Sequence, residues 1–259
     1  MSHVLVEKRE HILLIGLNRP EKYNALTRAM YHDIAKAYYQ LEHDPELRVG
    51  VLYGVGDHMT AGLELTDWVE VFSSGQAPTQ NEGELDPFYM VGPPLSKPVV
   101  MAVQGYCYTC GVELLLNTDI RVAASNTRFG QLEVARGFFA CGGATMRLPR
   151  EIGWGNAQRY LLTGETWTAE QSYQWGLVQN LVEPGRQLEV ALEVAAKVAK
   201  AAPLGVKGSL ASSKLARTEG EQAAKDVIYQ SVQGIMSSED MKEGIASFMQ
   251  RREANFKGR

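Results

Sequence analysis

The chain has 259 residues, 45% hydrophobic and 22% charged, with a formal net charge of −4. That balance suits one large globular domain, or a core with a smaller appendage, and excludes wholesale disorder. It offers no clustered excess of Lys and Arg for nucleic acid, although a local patch or a helix N-terminus can hold a phosphorylated small ligand.

Val4 to Glu7 and His11 to Leu17 read as two short strands joined by the charged turn Lys8-Arg9-Glu10. The opening MSHVLVEKREH lacks the basic start and apolar stretch of a signal peptide. Asn18-Arg19-Pro20-Glu21-Lys22 breaks the strand pattern. From Thr27 to His43, Met30, Ile34, Ala37, Tyr38 and Leu41 recur at helical spacing, with Thr27 as a cap and Pro45 just beyond. Val49 to Tyr53 is a buried strand closed by Gly54-Val55-Gly56. Ser73 to Asp86 is nearly devoid of apolar residues and reads as a surface loop. Pro98 to Val103 (strand), Val112 to Asn117 (helix) and Ile120 to Ala123 (strand) continue an alternation that argues α/β. Beyond about Val182 the strand signal stops. Leu188 to Ala202, Val206 to Thr218, Glu221 to Met236 and Glu239 to Arg252 all have helical patterns. No apolar run reaches the roughly 18 residues of a membrane helix. Three cysteines make no disulfide framework, and a reducing, cytoplasmic interior is expected.

Several chemistries are set aside by their missing motifs. The chain has no phosphate loop of the Walker type, no His-Glu-x-x-His and no Gly-x-Ser-x-Gly. Gly54-Val55-Gly56 follows a strand, but Met59 stands where a dinucleotide loop needs its third glycine. His3, His11, His32, His43 and His58 show no metal-ligand spacing, so no metal is expected. Cys107-Tyr108-Thr109-Cys110 has the form of a redox pair. Two small apolar residues beside a tight turn are the simpler reading.

The chemistry concentrates around two glycine-containing turns, Ala61-Gly62-Leu63 and Thr109-Cys110-Gly111. Tight turns before helices leave backbone N–H groups unpaired, as a developing oxyanion requires. Glu113 follows the second turn, and Glu133 lies in the otherwise apolar Leu132-Glu133-Val134-Ala135. A carboxyl in such surroundings is paired, capping a helix, or raised in pKa and available for proton transfer. Periodicity alone favours the pairing or capping role.

The stretch Lys97-Pro98 to Tyr106, then Cys110-Gly111-Val112-Glu113-Leu114 and Asp119-Ile120-Arg121-Val122-Ala123, closely resembles the core of the enoyl-CoA hydratase/isomerase (crotonase) superfamily. Phe129-Gly130-Gln131-Leu132-Glu133, Gly143, Thr145, Arg147 and Leu148 continue the match. So do Leu17 to Leu26, Met59 to Leu65, Leu162 to Glu165, Ala169 to Ser172, Gly176-Leu177-Val178, and Asp240 to Gly244 with Phe248 and Arg252.

The resemblance implies a crotonase-like ββα spiral core over residues 1–200, and a helical trimerisation region over 201–259. It implies hydration of a 2-enoyl-CoA thioester, with isomerisation, thioester hydrolysis or a non-catalytic scaffold as alternatives. Glu113 and Glu133 would hold a water and move protons, with the Leu63 and Cys110 amides as oxyanion hole. Asn24, Ala25, Leu26, Ala61, Gly62, Leu65 and Lys257 would cradle coenzyme A, which enters only as part of the substrate. Trp68, Val69, Phe72, Met90, Phe138, Phe139 and Cys141 would shape an acyl pocket, plain core packing being the alternative for each. Phe248, Phe256 and Lys257 would approach a neighbour's site in a homotrimer or dimer of trimers. Leu63, Cys110 and Cys141 replace smaller residues of the family pattern.

Overall fold

The computed structural model describes residues 2–78 and 80–259. It opens with an antiparallel hairpin of β1 (Val4–Arg9) and β2 (Ile12–Leu17), registered from Val4 opposite Leu17 to Arg9 opposite Ile12. Helix α1 (Arg28–His43) starts at Thr27, whose side chain accepts from the Met30 N–H, and buries Met30, Tyr31, Ile34, Tyr38 and Leu41 along one face. Strand β3 (Val49–Gly54) is followed by α2 (Leu65–Ser73) and β4 (Val99–Val103). Next come β5 (Tyr106–Tyr108), α3 (Cys110–Leu115), β6 (Ile120–Ala124) and β7 (Arg128–Gly130). Helices α4 (Ala144–Ile152) and α5 (Trp154–Thr163), strand β8 (Thr166–Thr168), α6 (Ala169–Gln174) and β9 (Asn180–Val182) complete the body. The tail is α7 (Gln187–Lys200), α8 (Pro203–Glu219), α9 (Glu221–Met236) and α10 (Glu239–Gln250).

The larger sheet runs β1-β2-β3-β4-β6-β9, parallel from β2 onward. Its central strands are almost wholly buried, because both faces are covered and neither needs polar residues. One face meets the main core, which includes α1 and α3. The other meets α7 through Ala191, Ala195 and Ala199, spaced one helical turn apart and small enough for close approach to Val51, Val100 and Val122. A second sheet, β5-β7-β8, stands beside it.

Three elements differ from the sequence reading. The helix expected from Val112 begins at Cys110, which puts the Cys110 amide in its first turn. The expected surface loop 73–86 begins only after α2 closes at Ser73, and residue 79 within it lies outside the described residues. The small sheet carries three residues per strand, too few for alternation to register.

Candidate active site

Strands β3 and β4 both deliver their chains to the same end of the large sheet, the end where open α/β sheets place their ligands. After β3, the turn at residues 54–58 is held by Asn24, whose Nδ2 donates to the Val55 and His58 carbonyls, and by Gln104, whose Nε2 donates to those of Gly54 and Gly56. Asn24 is itself buried, so it acts on the turn and not on solvent. The chain then reaches Ala61-Gly62-Leu63, where Leu26 donates to the Gly62 carbonyl and accepts from the Glu64 N–H. Those two bonds straddle Leu63 and turn its own N–H to the opposite side.

After β4, strand β5 leads into Thr109, which adopts φ 48° and ψ −113°, a conformation strained for a β-branched residue. That twist aims the start of α3 back at the first turn. The two turns touch: a Cβ on Gly62, itself at φ 115°, would collide with the Thr109 hydroxyl. Among the described residues, neither the Leu63 nor the Cys110 N–H has a hydrogen-bond acceptor.

Glu113 is buried on α3, and its Oε1 accepts from the amides of Gly142 (2.6 Å) and Ala144 (3.2 Å). Gly142 can approach so closely because it has no Cβ, which would clash with the Glu113 carboxylate. Arg147 braces this contact, donating to the carbonyls of Phe88, Gly142 and Tyr89. Burial raises the Glu113 pKa to about 7 against the lowering effect of those two amides and of the Arg147 charge. Glu133 sits in a single 3-10 turn, Glu133–Arg136, and its Oε2 is buried with no partner among the described residues. Burial, with a smaller contribution from the Glu113 charge, raises it to about 8.

A cavity of about 270 Å3 joins the two turns to Glu113, but not to Glu133. It is lined by Leu63, Cys110, Glu113, Cys141 and Gly142, and by the apolar side chains of Trp68, Phe72, Phe88 and Met90. Phe138 reaches the wall indirectly, its ring 6.1 Å from that of Phe72. Glu133 and Phe139 face a neighbouring cavity of about 120 Å3 with Ala140, so the 139–142 segment lies between the two carboxylates' cavities. Val69 is exposed. Lys257 is exposed too, and its backbone is held by Asp240. The adjacent Phe256 carbonyl accepts from Arg48, beside the start of β3, which puts this chain's own tail at the opposite end of the sheet from the cavity.

Sequence reasoning passed over Phe88 and Asp86. Asp86 is buried and accepts from the Tyr31 hydroxyl and from the amides of Phe88, Met90 and Val91, which shapes the cavity's far wall. The only local signal is a carboxylate closing a polar loop just before Phe88. Arg147 belonged to a matched motif without an assigned task. The Cys107 and Cys110 thiols are unbridged and buried, and burial pushes both up, which removes the thiolate a redox pair needs. Among the described residues no group of three or more His, Cys, Asp or Glu side chains is arranged to hold a metal.

Comparison with known proteins adds the following. The family model described as enoyl-CoA hydratase/isomerase matches residues 7–259. A mevalonyl-coenzyme A hydratase of Aspergillus fumigatus is 32% identical, over 95% of this chain and 92% of its own. A 2,3-dehydroadipyl-CoA hydratase of Escherichia coli is 32% identical over the whole of both chains. Among solved structures, one from Mycobacterium abscessus, described as a probable enoyl-CoA hydratase/isomerase, superposes with a TM-score of 0.96 at 40% identity, covering 100% of this chain and 99% of that one. An enoyl-CoA hydratase of Mycobacterium tuberculosis gives 0.90 at 34% identity, over 99% of each.

Proposed function

The chain belongs to the enoyl-CoA hydratase/isomerase family and has its crotonase-like fold, and from that premise we propose that it hydrates 2-enoyl-CoA thioesters. One observation carries the reading. Two unbonded backbone amides and a buried carboxyl with a pKa near neutrality meet at one end of an apolar cavity. Attack of water on Cβ drives electrons onto the thioester oxygen, and fixed donors in a dry site stabilise that charge far better than bulk water does. The Leu63 and Cys110 amides supply those donors. Glu113, ionised, takes the proton of the attacking water, and Glu133, neutral, delivers one to Cα. The raised proton affinities suit both tasks, since each group changes state without leaving the working pH range.

Coenzyme A is carried by the substrate, with the segments around Ala25, Ala61 and Leu65 along its path and Lys257 approaching the coenzyme A in a neighbouring subunit's site. Residues 1–200 form the catalytic unit and 201–259 the assembly region of a cytoplasmic homotrimer or dimer of trimers in fatty acid metabolism. Tyr229, Phe248 and Met249, each more than three-quarters exposed, support the assembly reading.

One observation favours isomerisation as a second reading. Cys141 and Glu113 share the main cavity while Glu133 faces the next. A single carboxyl suffices to move a proton between Cα and Cγ. A panel of 2-enoyl-CoA and 3-enoyl-CoA thioesters separates the two: hydration removes the conjugated absorbance of the former, and isomerisation creates it from the latter. Inertness toward every 2-enoyl thioester would overturn the hydratase assignment.

A further inference from the structure

On the hydratase reading the two amides and Glu113 hold the thioester, which leaves the acyl chain the rest of the same cavity. That space is walled by Trp68, Phe72, Phe88, Met90 and one further carboxylate, Asp86. Asp86 is 3% exposed. It accepts from the Tyr31 hydroxyl (3.2 Å) and from the amides of Phe88 (2.9 Å), Met90 (2.8 Å) and Val91 (3.2 Å). Both oxygens accept and all four donors are neutral, so the arrangement holds a carboxylate anion on the cavity wall without an ion pair.

We propose that this cavity selects its acyl chain by charge, taking a neutral or cationic tail and rejecting one that ends in a carboxylate, and that Asp86 is the residue that sets this preference. The proposal rests on the hydratase reading for the placement of the thioester, and deepens it by naming the substrate class. Among the described residues no Lys, Arg or His lines the cavity. Arg147 answers to the charges of both Asp86 and Glu113, one guanidinium against two carboxylates. Its N–H groups go to the carbonyls of Phe88, Gly142 and Tyr89. Arg28 and His32 stand in the adjoining cavity, behind Trp68 and the 76–78 segment that line both. Each faces a carboxylate of its own, Glu70 at 3.7 Å and Glu84 at 2.9 Å. Trp68 Nε1 is already given to the Leu26 carbonyl (2.9 Å), and Gln76, also on the lining, is neutral and exposed.

Charge decides here because apolar walls screen poorly. Two like charges about 8 Å apart, at an effective dielectric constant of about 20, repel by the equivalent of roughly thirtyfold in affinity. Taking any charged tail out of water also weakens binding, whatever its sign. The sign of the effect is therefore what identifies Asp86, which adds to that cost for a carboxylate and subtracts from it for an ammonium. Aromatic walls act in the same direction, since a cation gains against a ring face and an anion does not.

The test is calorimetric titration of the full-length protein with three saturated thioesters of one chain length, hexanoyl-CoA, adipoyl-CoA and 6-aminohexanoyl-CoA. Saturated thioesters cannot be hydrated, so binding is read independently of turnover. Adipoyl-CoA should bind most weakly of the three, and at least about thirtyfold more weakly than 6-aminohexanoyl-CoA. Asp86→Asn should shrink that ratio at least about tenfold, weakening the ammonium and strengthening the carboxylate, a reversal that mere loosening of the pocket does not produce. Should Asp86→Asn fail to fold, Met90→Lys, at a side chain 40% exposed on the same lining, leaves the Asp86 bonds in place and should shrink the ratio as well. Adipoyl-CoA bound as tightly as 6-aminohexanoyl-CoA by the wild type would overturn the proposal, and so would a folded Asp86→Asn with an unchanged ratio. Turnover of the matching 2-enoyl thioesters is followed alongside. Hydration of 2-hexenoyl-CoA without a charge preference in binding would overturn the proposal and leave the hydratase reading standing. A charge preference on protein that hydrates none of them would support the proposal and contradict that reading.

Discussion

Burial is the largest influence on both carboxyls, and it sets two measurable pH dependences. For catalysis, Glu113 must be ionised and Glu133 neutral, so kcat/KM should rise through about pH 7 and fall through about pH 8. A profile missing one limb between pH 6 and pH 9 would remove the corresponding role, and a flat one would remove both. For stability the sign is the opposite of an ordinary salt-bridged acid. Glu113 titrates near 4.5 when unfolded and near 7 when folded, so between those values the folded chain binds more protons. Its stability therefore falls as pH rises across that window, by at most about 3 kcal/mol from this group. Urea unfolding at pH 5 and pH 8 should show that decline, and Glu113→Gln should make it shallower. The two turns offer a second test at this scale. Gly62→Ala should lower kcat by about 10²-fold, the scale of losing one oxyanion donor, because the new methyl meets Thr109. Thr109→Gly relieves strain on the order of 1–3 kcal/mol and should restore part of that activity in the double variant. Additive losses would mean that the turns do not share a contact.

At the scale of elements, legibility followed length. Helix α1 declared itself through sixteen residues of helical spacing and a threonine cap, and the four tail helices through similar runs. The parallel strands read as continuous apolar stretches because both faces are covered. The small sheet did not register, although it carries β5 to the turn at Thr109. Glu113 stood out in the sequence as a carboxylate just past a glycine turn. Glu133 stood out through its apolar neighbours, but no local pattern could place the 139–142 segment between them. The far wall was equally hidden, since Asp86 builds it through partners from α1 and from residues 88–91. Asp86→Ala should therefore unfold at lower urea, with a loss of about 3–5 kcal/mol for buried donors left without their carboxylate acceptor, and raise KM for long acyl chains more than for short ones. An unchanged KM across chain lengths would separate Asp86 from the pocket.

For the molecule as a whole, the tail leaves Tyr229, Phe248 and Met249 largely in solvent while α7 is committed to the sheet. Sedimentation should give three or six times the 28.6 kDa chain mass, and Phe248→Asp with Met249→Asp should shift it toward the monomer. A stable wild-type monomer would remove the assembly region from the account. The proposed mechanism has two amides and two carboxyls acting on one thioester, with Glu113 in the main cavity and Glu133 reaching it from the neighbouring one. That claim is tested most directly by following water addition and Cα proton exchange on crotonyl-CoA for wild type, Glu113→Gln and Glu133→Gln. Both variants should fold and bind coenzyme A nearly as wild type does, and each should lose at least about 10²-fold in kcat. Glu113→Gln should lose mainly water addition and Glu133→Gln mainly exchange, with losses that do not add in full. Wild-type turnover by both variants on every active thioester would contradict the two-carboxyl mechanism.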